Sequence, residues 1–62
     1  MAEQPLFASD ETASYVAALS GELSRLCRLQ GLEMLAYLLE MAQLEAEQVV
    51  QRQRDAALEA KR

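Results

Sequence analysis

This 62-residue sequence predicts an all-α fold, a two-helix antiparallel hairpin that dimerises into a four-helix bundle. Three observations support the prediction. Apolar residues recur at helical spacing along two stretches of the chain. A single glycine, Gly31, separates the two stretches. The second stretch carries two apolar stripes, and one companion helix can cover only one of them.

The first predicted helix spans about residues 10–30. The segment Ser9-Asp10-Glu11-Thr12 offers several N-cap residues and places acidic groups at the positive end of the helix dipole. Arg25 and Arg28 lie in the last turns, where cations interact favourably with unpaired carbonyl groups. The large apolar residues share one face, as in an amphipathic helix of about five turns: Tyr15, Val16, Leu19, Leu23, Leu26 and Cys27.

The turn is predicted at residues 31–32, because glycine favours the left-handed conformation that closes many helices. The second helix then begins at about Glu33. A single unbroken helix is the alternative, since one internal glycine costs only about 1 kcal/mol relative to alanine. The register favours the hairpin, because folding at Gly31 places Val49 and Val50 opposite the start of the first helix.

The second helix has two apolar stripes when it is wound at about 100° per residue. One stripe contains Leu35, Leu38, Leu39, Ala42, Ala46, Val49 and Val50. The other contains Met34, Tyr37, Met41 and Leu44, and we call it the methionine seam. We expect the hairpin to cover the first stripe and a second copy of the chain to cover the methionine seam. A ligand groove or a different protein partner is the alternative use of that seam.

The first helix also carries a run of small side chains spaced 4, 3, 4 and 3 residues apart. This small-residue strip contains Ala13, Ala17, Ser20, Ser24 and Cys27. A helix of a second hairpin could lie close against it, so we predict that the strip belongs to the dimer interface. The alternative is that these residues have no special role, since small residues are common on helix flanks. Cys27 could crosslink there, although a lone cysteine is more often a small buried hydrophobe.

The ends of the chain lack an apolar face. Residues 1–8 contain Pro5 and no helical period, and we expect a flexible arm. Residues 9–50 form the predicted hairpin. Residues 51–62 are rich in helix formers with almost no large apolar residues, which predicts a solvated helical extension that frays. Its one large apolar residue is Leu58, which the arm could cover.

Composition limits the classes of partner. The net charge of −4 disfavours nucleic acid and anionic membrane surfaces, which attract clustered lysine and arginine. The longest apolar run of the leucine-rich middle, residues 35–39, is far too short to span a bilayer, and the first residues lack a basic signal-peptide start. We therefore expect a cytoplasmic protein. One cysteine allows no internal disulfide, and the absence of histidine argues against zinc, so oligomerisation remains as the stabiliser.

No residue set in the sequence predicts an enzyme or a cofactor. Glu33, Glu40 and Glu47 recur every seven residues, and a solvated face explains them better than a cation site or a basic partner. The segment from Leu26 to Leu32 resembles the turn of a DNA-binding helix-turn-helix, but the helix that follows is acidic and apolar where base and phosphate contacts need basic or amide side chains. We predict a non-enzymatic protein interaction module acting as a homodimer, an adaptor or small regulator. A DNA-associated regulator with a degenerate helix-turn-helix is the alternative.

About half of the chain resembles a group of short bacterial helical-hairpin proteins of unknown function. The resemblance is carried by Tyr15-Val16-x-x-Leu19-x-x-Glu22-Leu23-x-x-Leu26-Cys27-Arg28, followed by Gly31-Leu32-x-x-Leu35-Ala36-Tyr37-Leu38-Leu39-x-Met41-Ala42-x-Leu44-Glu45-Ala46. These residues form a packing pattern, so the resemblance implies a small helical module and no activity. In that group the residue two after the glycine is often aspartate, a better helix cap than Glu33.

Overall fold

The computed structural model describes residues 9–60, which form two α-helices in a hairpin. Helix α1 is Ser9–Leu29 and helix α2 is Glu33–Ala60. The arm predicted at residues 1–8 and the last two residues of the extension lie outside the described part of the chain. Within it, the all-helical hairpin is confirmed, and the alternative of one unbroken helix is wrong.

Helix α1 begins with acidic groups, as its sequence predicts. Asp10 and Glu11 lie in the first turn, where the helix dipole favours negative charge. The Asp10 Oδ1 atom accepts a hydrogen bond of 2.9 Å from the backbone N–H of Glu11. One of the N–H groups that the first turn leaves without a helical partner is thereby satisfied.

The turn is a Schellman closure centred on Gly31. Gly31 has a φ of 76°, in the left-handed region where a side chain is strained. The Leu32 N–H donates to the Cys27 carbonyl at 2.8 Å, and the Gly31 N–H donates to the Arg28 carbonyl at 3.1 Å. These two bonds satisfy carbonyl groups at the end of α1 and reverse the chain direction.

Helix α2 starts directly from this closure. The Leu32 carbonyl accepts a hydrogen bond of 2.9 Å from the Ala36 N–H, so Leu32 forms the entry to α2. The helix then continues to Ala60, and every residue from 51 to 60 is exposed. This part of the predicted extension is therefore helical and solvated.

The helices run antiparallel, because residues late in α1 meet residues early in α2. Arg28 bonds Glu40, and further from the turn Gly21 lies against Gln43. Near the open end Ala17 and Val50 line the same depression. The described part of the molecule is thus a two-helix layer, with a contact line along its middle and two broad sides.

Candidate interaction surface

The small-residue strip lies inside the hairpin, against α2 of the same chain. Ala13, Ser20 and Ser24 are buried, and Ala17 and Cys27 are half-buried. The structure therefore gives the strip a different partner from the one predicted, because α2 already covers the surface that was assigned to a second hairpin. The strip is a surface of close helix approach, but the neighbouring helix is the chain's own.

Small side chains line the contact on α2 as well. Ala36 is 0% exposed and Ala46 is buried. The buried hydroxyl of Ser24 donates a hydrogen bond of 2.9 Å to the Gly21 carbonyl, so it needs no partner on the other helix. Small residues on both sides allow two helices to approach closely. The consequence is that the contact buries few methylene groups.

Part of the large apolar stripe predicted to fill the hairpin lies instead on its surface, while Ala46 is buried and Leu39, Val49 and Val50 are half-buried. No large side chain among residues 10–60 is fully buried. The exposed set draws on both helices, and we call it the leucine face: Val16, Leu19, Leu23 and Leu26 of α1, with Leu35, Leu38, Ala42 and the half-buried Val49 of α2. The expectation that the hairpin covers the whole α2 stripe is wrong for Leu35, Leu38 and Ala42, because the small-residue strip of α1 meets a different part of α2.

The ion pair between Arg28 of α1 and Glu40 of α2 shows which side of the hairpin the leucine face occupies. Arg28 bonds Glu40 across the helices, so both residues lie toward the same side of the contact line. Arg28 follows the buried Ser24 by four residues, a rotation of about 40° around the helix. Leu23 precedes Ser24 by one residue, a rotation of about 100° in the opposite sense. Leu23 therefore faces the side away from the ion pair.

The same relationship holds on α2. Glu40 follows the buried Ala36 by four residues, and Leu35 precedes Ala36 by one. The rotations are again about 40° one way and about 100° the other. Leu23 of α1 and Leu35 of α2 thus lie on one broad side of the hairpin, and the Arg28–Glu40 pair lies on the other.

Arg28 is the centre of the charged side. Its Nε donates to Glu40 Oε2 at 2.8 Å and its Nη2 donates to the same oxygen, while Nη1 donates to Glu33 Oε1 at 3.1 Å. The hydrogen bonds and the negative charge of Glu40 raise the pKa of the Arg28 guanidinium above its already high ordinary value, and Glu33 adds to this. Two of the three glutamates spaced seven apart therefore fasten the turn end of the hairpin. The third, Glu47, accepts a long hydrogen bond of 3.4 Å from Gln43.

The methionine seam is exposed along its length. Met34, Tyr37, Met41 and Leu44 all lie on α2, and each leaves about half of its surface or more in water. Among the residues that the structure describes, nothing covers this seam. Its assignment to a dimer interface stays a prediction.

The described residues hold no constellation for metal chemistry. Among them, no three cysteine or carboxylate side chains come together as a metal site would require. An open depression near the ends of the helices is lined by Ser14, Ala17, Glu47, Val50, Gln51 and Arg54. It is a shallow groove between two helices, so the apolar surfaces are the features that distinguish this molecule.

Comparison with models of known protein families, with curated protein sequences and with solved structures found no match to this chain. Neither described helix combines the length and the apolar character that a bilayer crossing requires. Exposed large apolar side chains on both helices are the distinctive feature of the described surface.

Proposed function

We propose that this hairpin is a non-enzymatic protein interaction module that works as a homodimer, two hairpins forming a four-helix bundle. One observation carries the proposal: most large apolar side chains of both helices are exposed, while the buried residues between the helices are alanine, serine and glycine. Exposed apolar patches of this extent mark interaction sites on soluble proteins.

The interior of one hairpin is too small to stabilise the fold alone. Among residues 10–60 the buried apolar residues are Ala13, Ala36 and Ala46. Apolar burial contributes about 0.8 kcal/mol per methylene group, whereas fixing one residue of backbone costs roughly 1–2 kcal/mol of conformational entropy. Chains of this length commonly obtain the missing burial by oligomerisation.

The proposed role is that of a cytoplasmic adaptor or small regulator acting through protein contacts. A DNA-associated regulator would need an accessible, basic second helix. Helix α2 packs along α1, and its first turns carry Glu33 and Glu40, both bonded to Arg28. Those groups would repel phosphates, so DNA binding is an outcome to test and not the favoured function.

Sedimentation equilibrium at micromolar concentration tests the dimer. We expect a mass twice that of the 6.9 kDa chain, with far-UV circular dichroism of the same sample reporting a helical protein. A well-folded monomer at that concentration would refute the proposal. An electrophoretic shift of duplex DNA at low salt would support the regulator instead.

A further inference from the structure

We infer that the second copy of the chain binds the leucine face and not the methionine seam. Both helices of each hairpin then contribute to the interface, and the methionine seam stays on the outside of the dimer. This inference rests on the proposed homodimer and specifies its geometry.

The leucine face carries few charges. Its spacing on α2 meets one ionised group, Glu45, three residues after Ala42, and Glu45 pairs with Arg52 at 3.2 Å. On α1, Glu22 and Arg25 pair with each other at 2.7 Å and are well exposed, and Glu22 borders the face four residues before Leu26. On α2, Glu40 points to the opposite side of the hairpin, toward Arg28. Burying an ionised group costs several kcal/mol unless it is paired well, so a face whose one ionised group is paired is favourable to cover.

The methionine seam lies beside acidic residues of α2. By their positions on α2, Glu33 and Glu40 follow one edge of the seam, while Glu45 lies between its other edge and the leucine face. A symmetric contact through the seam would bring the same glutamates of two copies together. Like charges placed opposite each other in an interface oppose association.

The leucine face is broader than the methionine seam, because it includes side chains of both helices. A stable interface buries about 800 Å² on each partner. The leucine face combines half-exposed side chains from both helices across the full width of the hairpin, whereas the seam belongs to α2 alone. The broader face is the one that can form the apolar centre of an interface of this size.

The spacing of the leucine-face residues is typical of a helix bundle. Val16, Leu19, Leu23 and Leu26 follow one another at intervals of 3, 4 and 3 on α1, and Leu35, Leu38 and Ala42 at intervals of 3 and 4 on α2. This is the pattern that lets side chains of one helix fit between those of another in a four-helix bundle. Two identical faces of this kind are self-complementary, so the chain itself is the partner that the surface fits.

A pair of matched double variants separates the two surfaces. Leu35→Glu with Leu38→Glu changes the leucine face, and Met41→Glu with Leu44→Glu changes the methionine seam. Both pairs lie on α2 at a spacing of three residues, and their exposures in the single hairpin are alike: 49% and 55% for the first pair, 48% and 53% for the second. Each pair places the same charge on a surface that the hairpin alone does not bury.

Sedimentation equilibrium would then give the dissociation constant of each dimer. We expect the leucine-face variant to dissociate at least about a hundredfold more readily than the unmodified chain, because each copy loses two large apolar contacts. The seam variant should change by less than about fivefold. Dissociation caused only by the seam variant would overturn the inference while leaving the homodimer intact. A monomeric, folded unmodified chain would instead refute the proposed function itself.

The leucine-face variant could unfold when it dissociates, so a second measurement uses chains that keep an apolar face. In a Cys27→Ala background, Leu38→Cys and Met41→Cys each provide one thiol for maleimide labelling. We expect labelling of Leu38→Cys to slow at least about tenfold when the concentration is raised from below to above the dissociation constant, since a dimer interface excludes the reagent. Labelling of Met41→Cys should not slow. Protection at Met41→Cys alone, or at neither position, would overturn the inference.

Discussion

Gly21 of α1 and Gln43 of α2 lie against each other at the middle of the hairpin. A Cβ atom added to Gly21 would come within 3.0 Å of Gln43 Nε2 and 3.3 Å of Gln43 Cδ. Gly21 is buried, and its carbonyl also accepts the hydroxyl of Ser24. The glutamine side chain thus lies over bare backbone, at the point where the small-residue strip brings the helices together.

Replacing Gly21 with alanine should stabilise the protein by about 0.5 kcal/mol. Alanine favours a helix interior by about 1 kcal/mol over glycine, and part of that gain is spent on moving the Gln43 amide by a few tenths of an ångström. The amide is the end of a flexible side chain, held to Glu47 by a bond of 3.4 Å, so it can move. Urea unfolding at one fixed protein concentration measures the change. Gly21→Leu is the control and should destabilise, because the larger side chain would force the helices apart.

Ser24 tests whether the small-residue strip lies within the hairpin. Ser24→Ala should change the free energy of unfolding by less than about 1 kcal/mol, because the hydroxyl bonds a carbonyl of its own helix. Ser24→Leu should cost about 1–3 kcal/mol, since the added atoms enter a position that is only 4% exposed. Thermal unfolding of the two variants side by side gives the comparison. A leucine tolerated as well as alanine would show that the strip faces water.

The turn could be predicted from sequence because its signals are local. A glycine after a helical stretch with arginines in its last turns indicates the end of a helix, and this signal does not depend on the rest of the sequence. The structure places this closure at Gly31, with α1 ending at Leu29 and α2 beginning at Glu33. These bounds differ from the predicted ones by a residue at most.

The face by which the helices meet could not be predicted in the same way. Helix α1 carries two stripes with helical spacing, one of leucines and one of small residues, and periodicity alone fits either inside a hairpin. The usual rule that large apolar residues are buried selects the leucines. In the single chain, the small residues permit the closer contact, and Ser24 satisfies its hydroxyl within α1. The choice depends on the contact between the two helices, which the periodicity of one helix does not specify.

Gly31→Ala should destabilise the hairpin by about 1 kcal/mol through the backbone alone. The φ of 76° is strained for any residue with a side chain, yet a Cβ atom there would meet nothing within 4 Å. Gly31→Asn should lose less, because asparagine tolerates the left-handed region better than alanine does. Urea unfolding of both variants at equal concentration would rank them. An alanine variant as stable as the parent would contradict a left-handed turn at this position.

Arg28→Gln should lower the melting temperature by a few degrees at low salt, because it removes the bonds that join α1 to Glu40 and Glu33. The difference from the parent should shrink in about 0.5 M salt, since exposed charges are screened. Arg28→Lys is the matched control. It keeps the charge but not the forked guanidinium, so its melting temperature should fall between those of the parent and Arg28→Gln.

The folded state raises the pKa of Arg28. The stabilisation from these bonds is therefore fully present below the pKa that Arg28 has in the unfolded chain, and it is lost only as the pH rises through the pKa of Arg28 in the folded chain. Between about pH 6 and 9 the titration of Arg28 should therefore leave the difference unchanged. Equal melting temperatures for parent and Arg28→Gln at low salt would show that these bonds do not stabilise the turn end.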